Sequence, residues 1–498
     1  MSLLGIDVGT SGCKASVFAV DGAALATAYR EYDVQRPRPG YAELDAQAVW
    51  RHIQDVIAEA AAQTKHDPVT ALSVSSLGEA VVPVAEDRTI LGPSILNFDE
   101  RGGEYLEQLG VILDNERLYR INGNTLGNHY SLTKLLWIRD YEPDLYRRVH
   151  KFLHWGAFVS FMLGAEPVVD YSLANRTLLF DLDRAAWSGE LLDLVELDRA
   201  KLPEVAPSGT VIGHVSDAMA AALGLPRNVA IVTGAHDQCA NAVGCGVLDD
   251  GRAMFGMGTF ICIVPVFSKR QPAATMMAHG YNTEHHAAPG KYVCFIYNHG
   301  GSMLKWYRDT FATAERGQVV DIYPYLLNEL PEGPSGVMVL PHFAPTGPPE
   351  FIGDSSGVMV GLHLDTTRGE ILKGILEGAV FYQRECLEPL PSTGIRIDEF
   401  RAVGGGSHSD AWLQITADIL GRPLTRAKVA EAGALGGAIL AGTASGVFAS
   451  SQEGANAMVR LDRTFEPNPA NQNRYNARFQ QYRQLWPLMK DYLRNSAP

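Results

Sequence analysis

The chain has 498 residues, 46% of them apolar and 20% charged, a soluble globular balance too long for one ordinary core, so two large domains are expected. Its 42 Lys and Arg against 56 Asp and Glu leave a net charge of −14, which disfavours non-specific nucleic-acid binding and means that any polyanion site is built from local donors. No apolar run approaches the roughly 18 residues that span a bilayer, and the first residues run straight into a strand with no room for a signal peptide, so the expected location is the cytoplasm.

Residues 4–18, LGIDVGTSGCKASVF, read as two strands folded back on a glycine-rich turn, with Asp7, Thr10, Ser11 and Lys14 at the bend. Gly9 and Gly12 allow the tight turn and aim backbone N–H groups at an anion. A carboxylate at the end of the first strand is suited to Mg²⁺, which takes hard oxygen ligands and keeps much of its water. A metal anchor, hydroxyls, amides and a cation in one turn suit the tail of a nucleoside triphosphate.

Farther along, Asp45 is placed to N-cap a helix with apolar positions Val49, Ile53, Val56 and Ala60. Residues 71–74 and 81–84 read as strands. Residues 229–237, VAIVTGAHD, form a strand ending in a glycine turn and Asp237. Residues 253–264, AMFGMGTFICIV, form a second strand–Gly-Thr–strand hairpin about 250 residues after the first. Two such hairpins predict two similar domains facing one another across a cleft, divided near the polar turn at 248–251 into 1–248 and 249–498. A third glycine turn, residues 400–414 (FRAVGGGSHSDAWLQ), is a strand running into three glycines and then a helix capped by Ser407 or Ser409. Residues 471–494 are helical, with Tyr475, Phe479, Tyr482, Trp486 and Tyr492 on one apolar stripe and a kink expected at Pro487.

Alternating strands and helices throughout predict α/β layers. The six cysteines form no Cys-x-x-Cys pair and read as reduced core residues. His279, His285 and His286 read as solvent-facing loop histidines rather than a metal site. The chain has no Gly-x4-Gly-Lys-Ser/Thr, and no Gly-x-Gly-x-x-Gly follows its first strand, which argues against a Walker NTPase and a Rossmann dinucleotide site.

The three glycine turns, in this order, resemble the ATPase superfamily of actin, the heat-shock chaperones and hexokinase, and the chain more narrowly resembles the FGGY family of carbohydrate kinases over nearly its whole length. Residues 131–140 (SLTKLLWIRD) are similar to the family's first signature, departing at His129 and Tyr141. Residues 357–362 (GVMVGL) with 370–377 (EILKGILE) are similar to the second, with Gly374 where Ala or Ser is expected. Residues 404–414, Ala417-Asp418 and 434–438 complete the pattern.

The resemblance implies two actin-like (ribonuclease H-like) α/β domains, each a mixed β-sheet flanked by helices, with the active site in the interdomain cleft. It implies ATP and Mg²⁺ as cofactors and a small sugar or polyol as acceptor, most of all a pentulose such as xylulose. Asp237 stands where the family's catalytic base lies, and Asp7 and Asp237 are the implied metal-holding carboxylates. Thr10, Ser11 and Lys14 would face the β- and γ-phosphates, and the amides near Gly258 and Thr259 the γ-phosphoryl group. Gly301, Gly405, Gly406 and Ser409 would lie against the adenosine. Gly78, Glu79, Asp99, Arg101, His129, Asp237 and Gln238 are expected against the acceptor, with Asn97 on the same loop as Asp99 and Arg101. Residues 75–79 (SSLGE) lack both the Met-His of xylulose kinases and the Arg-Glu of glycerol kinases, so glycerol, erythritol, ribulose and gluconate stay open as acceptors. Dimers are common in the family, so a homodimer is also an expectation; nucleic-acid and membrane partners are not. A conformational-switch ATPase of the same fold is the competing reading, and helices and glycine motifs running nearly to the end leave little room for a separate peptide-binding module.

Overall fold

The computed structural model describes residues 1–496. Its first large sheet has the order Val211–His214, Ala230–His236, Val69–Ser76, Ser2–Val8, Gly12–Ala19, Ala24–Glu31. Ser2–Val8 runs antiparallel to Gly12–Ala19 and parallel to Val69–Ser76, which is in turn parallel to Ala230–His236. Ser2–Val8 is almost wholly buried, as expected of a strand covered on both faces.

The second large sheet repeats this plan. Gly251–Met257 pairs antiparallel with Phe260–Phe267, which pairs antiparallel with Ile296–His299. Gly251–Met257 is parallel to Ile397–Val403, which is parallel to Leu424–Ala427, and Leu461–Phe465 closes the edge antiparallel. The resemblance between the two glycine hairpins is therefore the visible part of a repeated sheet.

The two halves meet through helices Asp237–Gly244 and Ala432–Ala444. The second is apolar all round and buried from Ala432 to Gly442, the mark of an interior helix. Its backbone lies directly on the first sheet and on its partner helix. A Cβ on Gly5 would stand 1.7 Å from the Ala434 carbonyl oxygen, and one on Gly436 2.0 Å from that of Ala240. Only glycine permits approaches this close.

The Asp45 carboxylate caps Ala46–Gln63 by accepting from the N–H groups of Gln47 and Ala48, and Val49, Ile53, Val56 and Ala60 are buried. Ser409 rather than Ser407 caps Asp410–Leu420, accepting from Trp412 N–H. The final helix runs Pro469–Ser496 through Pro487. Tyr475, Phe479 and Tyr482 are buried on it, but Tyr492 is 68% exposed and Leu493 takes its place. At 100° per residue Leu493 lies two turns beyond Trp486 on the same face, whereas Tyr492 is rotated off it. All six cysteines are free and buried. The histidines differ from expectation: His285 sits on a short strand with its ring against Tyr171 and Tyr292, and His286 is buried with Nε2 3.0 Å from the Val247 carbonyl oxygen. No group of three or more His, Cys, Asp or Glu is placed to hold a metal among the described residues. No helix among them is long and apolar enough to cross a membrane.

Candidate active site

Three parallel strands of the first sheet end side by side. The register sets Asp7 opposite Ser75 and His236 opposite Ser76. The chain leaving each strand passes over the carboxyl edge of the sheet, where open α/β sheets bind ligands. Thr10, Gly78, Glu79, Asp237 and Gln238 accordingly share the wall of one cavity of about 560 Å³. Asn97 and His129 enter it from neighbouring loops, and Phe260, Tyr297 and Phe351 line it from the second half of the chain. The cavity thus lies between the two sheets.

Asp7 accepts a 2.6 Å hydrogen bond from Ser75 Oγ. Burial raises its pKa, while Ser75 and Lys14 pull it back. The first turn of Ala432–Ala444 closes over the same carboxylate, where a Cβ on Gly433 would stand 2.9 Å from Asp7 Oδ1. Asp237 opens helix Asp237–Gly244, with Oδ1 3.1 Å from both His236 Nε2 and Gln238 Nε2. Burial pushes its pKa up to about 7, reinforced by the negative charges of Asp7 and Glu79. The His236 imidazole is held well below its usual pKa by burial and then by Arg176, so it faces Asp237 neutral.

The acceptor-side residues divide into two groups. Glu79 lines the cavity and is gripped by Arg176, whose Nε donates at 2.9 Å and whose Nη2 reaches the same oxygen. Arg176 Nη1 donates at 2.6 Å to Glu284, and its guanidinium lies 4.9 Å from the centre of the Tyr130 ring. Burial opposes the Arg176 charge, but Glu284 and Glu79 more than restore it. His129 packs on Tyr130 with ring centres 4.0 Å apart, and burial, then Arg176, lower its pKa to about 3.

Asp99 and Arg101 are turned away from this cavity and spent on one another. Arg101 Nε donates to Asp99 at 2.9 Å and Nη2 to Glu43 at 2.8 Å, with the guanidinium 4.0 Å from the Tyr41 ring centre. Arg101 lines a separate surface cavity beside Trp137. Ser11 is exposed at the hairpin tip, and Lys14 is ion-paired to Glu431.

In the second half, Gly258 and Thr259 form the turn between Gly251–Met257 and Phe260–Phe267. The Gly301 N–H donates to the Gly258 carbonyl at 3.0 Å, seating helix Gly301–Phe311 on this turn. The Gly404–Gly406 turn abuts the end of the neighbouring strand Gly251–Met257: a Cβ on Gly406 would meet Met257 Cβ at 2.9 Å and the Trp412 ring at 2.7 Å. Gly405 has no other residue within 4 Å of its Cβ direction and presents bare backbone. Ser409 is occupied as the helix cap.

Arg176, Glu284, Ser75 and His236 were not singled out by the sequence. Ser75 and His236 lay within quoted motifs, but their roles depend on strand register. Arg176 meets partners 97 and 108 residues away, which no local pattern discloses.

Residues 2–244 match the N-terminal domain, and residues 253–445 the C-terminal domain, of the FGGY family of carbohydrate kinases. Xylulose kinase of Staphylococcus xylosus is 24% identical over 485 residues, covering 97% of this chain and 99% of that protein. Glycerol kinase of Bordetella parapertussis is 30% identical over 517 residues, covering 99% and 98%. The crystal structure of xylulose kinase from Rhodospirillum rubrum superposes with a TM-score of 0.87 at 25% identity, covering 99% of this chain and 100% of that one. The chain belongs to the FGGY family of carbohydrate kinases and is a phosphotransferase with an alcohol group as acceptor.

Proposed function

We propose that the enzyme transfers the γ-phosphoryl group of Mg-ATP to a hydroxyl of a small ketose or polyol in the interdomain cavity, with Asp237 as general base. The observation that carries this reading is the placement of Asp237, which shares one cavity wall with Thr10 of the glycine hairpin and with the polar side chains of Glu79 and Gln238. A sugar hydroxyl is a weak nucleophile, and a carboxylate within hydrogen-bond reach orients it and takes its proton as the bond to phosphorus forms. A pKa of about 7 suits that exchange, because the group both binds and releases a proton near neutral pH. The product is the phosphate ester and ADP, with the acceptor's proton left on Asp237 and then released to solvent.

The donor set fits a hard cation. Burial raises the pKa of Asp237 and the negative charge of Asp7 adds to it, and Mg²⁺ held partly through water would relieve that repulsion. The ion would supply charge neutralisation at the phosphates. The Gly258–Thr259 turn and the bare backbone at Gly405 fit phosphate and a flat nucleoside, respectively. The xylulose kinases among the relatives favour a pentulose, and Glu79, Asn97, His129 and Gln238 supply the polar contacts to its hydroxyls.

The test is ADP release from Mg-ATP across pentuloses, tetruloses, hexuloses, polyols and aldonates. One strongly preferred acceptor, with turnover abolished in Asp237→Asn, supports the reading. ATP hydrolysis indifferent to every acceptor would replace it with a switch ATPase.

A further inference from the structure

The cavity wall carries two carboxylates, Glu79 and Asp237, and, among the described residues, a single Lys or Arg side chain, Arg176. Its charge is already committed, since Glu79 takes Nε and Nη2 while Glu284 takes Nη1. Glu284 is 0% exposed, and its second carboxylate oxygen is buried without a hydrogen-bond partner. His129 adds no positive charge, because burial and then Arg176 hold it neutral at physiological pH. Nearby Lys134 is turned onto the carbonyl oxygens of Asp99 and Arg101.

We infer that the acceptor end of this cavity selects an uncharged, polyhydroxylated acceptor and rejects sugar acids, and that Glu284, from behind Arg176, sets this choice by neutralising the one cation available. The inference rests on the kinase reading and narrows its substrate class. A carboxylate brought to this wall would face Glu79 with no free Lys or Arg among the lining residues, whereas hydroxyls can donate to Glu79 and accept from Asn97 or Gln238. Like charges forced together at a binding surface carry a heavy penalty, large enough to exclude such ligands.

The test pairs acceptors of equal chain length: xylulose, ribulose, xylitol and ribitol against xylonate and ribonate, assayed by ADP release. The best neutral acceptor should exceed its matched aldonate by at least about 100-fold in kcat/KM. An aldonate turned over within about ten-fold of its neutral counterpart overturns the inference while leaving the kinase reading intact. Silence from every acceptor while ATP still binds overturns both. In Glu284→Gln, shown folded by thermal melting, Arg176 gains free charge and the neutral-to-acid ratio should shrink about ten-fold. An unchanged ratio in the folded variant removes Glu284 from the role. The wild-type comparison stands alone if the variant does not fold.

Discussion

Lys14 Nζ and Glu431 Oε2 stand 2.7 Å apart, joining the first glycine hairpin to the residue that precedes helix Ala432–Ala444, 417 positions later in the chain. On the proposed kinase reading Lys14 would be the cation that the hairpin offers to a nucleotide tail, and Glu431 is ion-paired to it. Phosphates arriving at the hairpin compete with this carboxylate. Glu431→Gln should therefore lower KM for ATP about two- to five-fold, the range set by a partly exposed ion pair, while Lys14→Ala raises it. If both variants raise KM equally, the pair acts as a strut between the halves and not as a donor held in reserve.

Asp237 gives the sharpest chemical test. Asp237→Asn should lower kcat by about 10³-fold or more with KM for ATP nearly unchanged. In the wild type, kcat/KM should rise with pH through about 7 as the free carboxyl loses its proton. The same shift has a stability sign. The folded pKa lies above the unfolded value of about 3.9, so the folded state binds the extra proton between pH 4 and 7, and ligand-free stability falls as pH rises across that window. Asp237→Asn removes this penalty. Its melting temperature should match the wild type near pH 4 and exceed it at pH 8, and a gain equal at both pH values would mean that Asp237 titrates normally.

The hairpins, the Gly404–Gly406 turn and the capped helices were legible because their signals are local: a glycine where the backbone must bend, a Ser or Asp where a helix starts. The duplication was legible only as two similar hairpins; the matching parallel strands behind them carry no shared motif. Asp99 and Arg101 looked like acceptor ligands because they are polar and follow a strand on the right loop. In the fold their i, i+2 spacing lets them satisfy each other, and the guanidinium packs against the Tyr41 and Trp137 rings, which meet edge to face. Conversely, the Glu79–Arg176–Glu284 cluster was illegible because its order comes from tertiary contact. His285 and His286 were misread for a related reason, since a polar pair reads as exposed until the carbonyl groups that partner it are in place.

The close seating of helix Ala432–Ala444 makes a packing prediction. In Gly436→Ala the new methyl would lie 2.0 Å from the Ala240 carbonyl oxygen, and backbone cannot give way as a flexible side chain can. Overpacking of this kind costs about 1–3 kcal/mol, so the melting temperature should fall by several degrees. Gly189→Ala is the control, because no other residue lies within 4 Å of its Cβ direction. It should leave the melting temperature within about a degree of the wild type, or raise it slightly through the unfolded state. Equal effects at the two positions would show that the helices part freely, and that the glycines do not set their separation.

Tyr475 ties the last helix to the second half through a buried carboxylate. Its hydroxyl donates at 2.8 Å to Glu377 Oε1, and Ser335 N–H donates to the same carboxylate. Burial pushes the Glu377 pKa up to about 7, and these donors are what keep it from rising further. Tyr475→Phe removes one donor and leaves the packing nearly intact, so it isolates the hydrogen bond. The cost should be about 1–3 kcal/mol where Glu377 is ionised, because a buried charge loses a partner, and smaller where it is protonated. With the folded pKa raised, ionisation of Glu377 is already destabilising as pH climbs toward 7, and losing the donor raises that pKa again and deepens the loss. The gap in melting temperature between Tyr475→Phe and the wild type should therefore be wider at pH 8 than at pH 5. A gap independent of pH would mean that Glu377 stays protonated throughout and that Tyr475 serves it as a neutral partner.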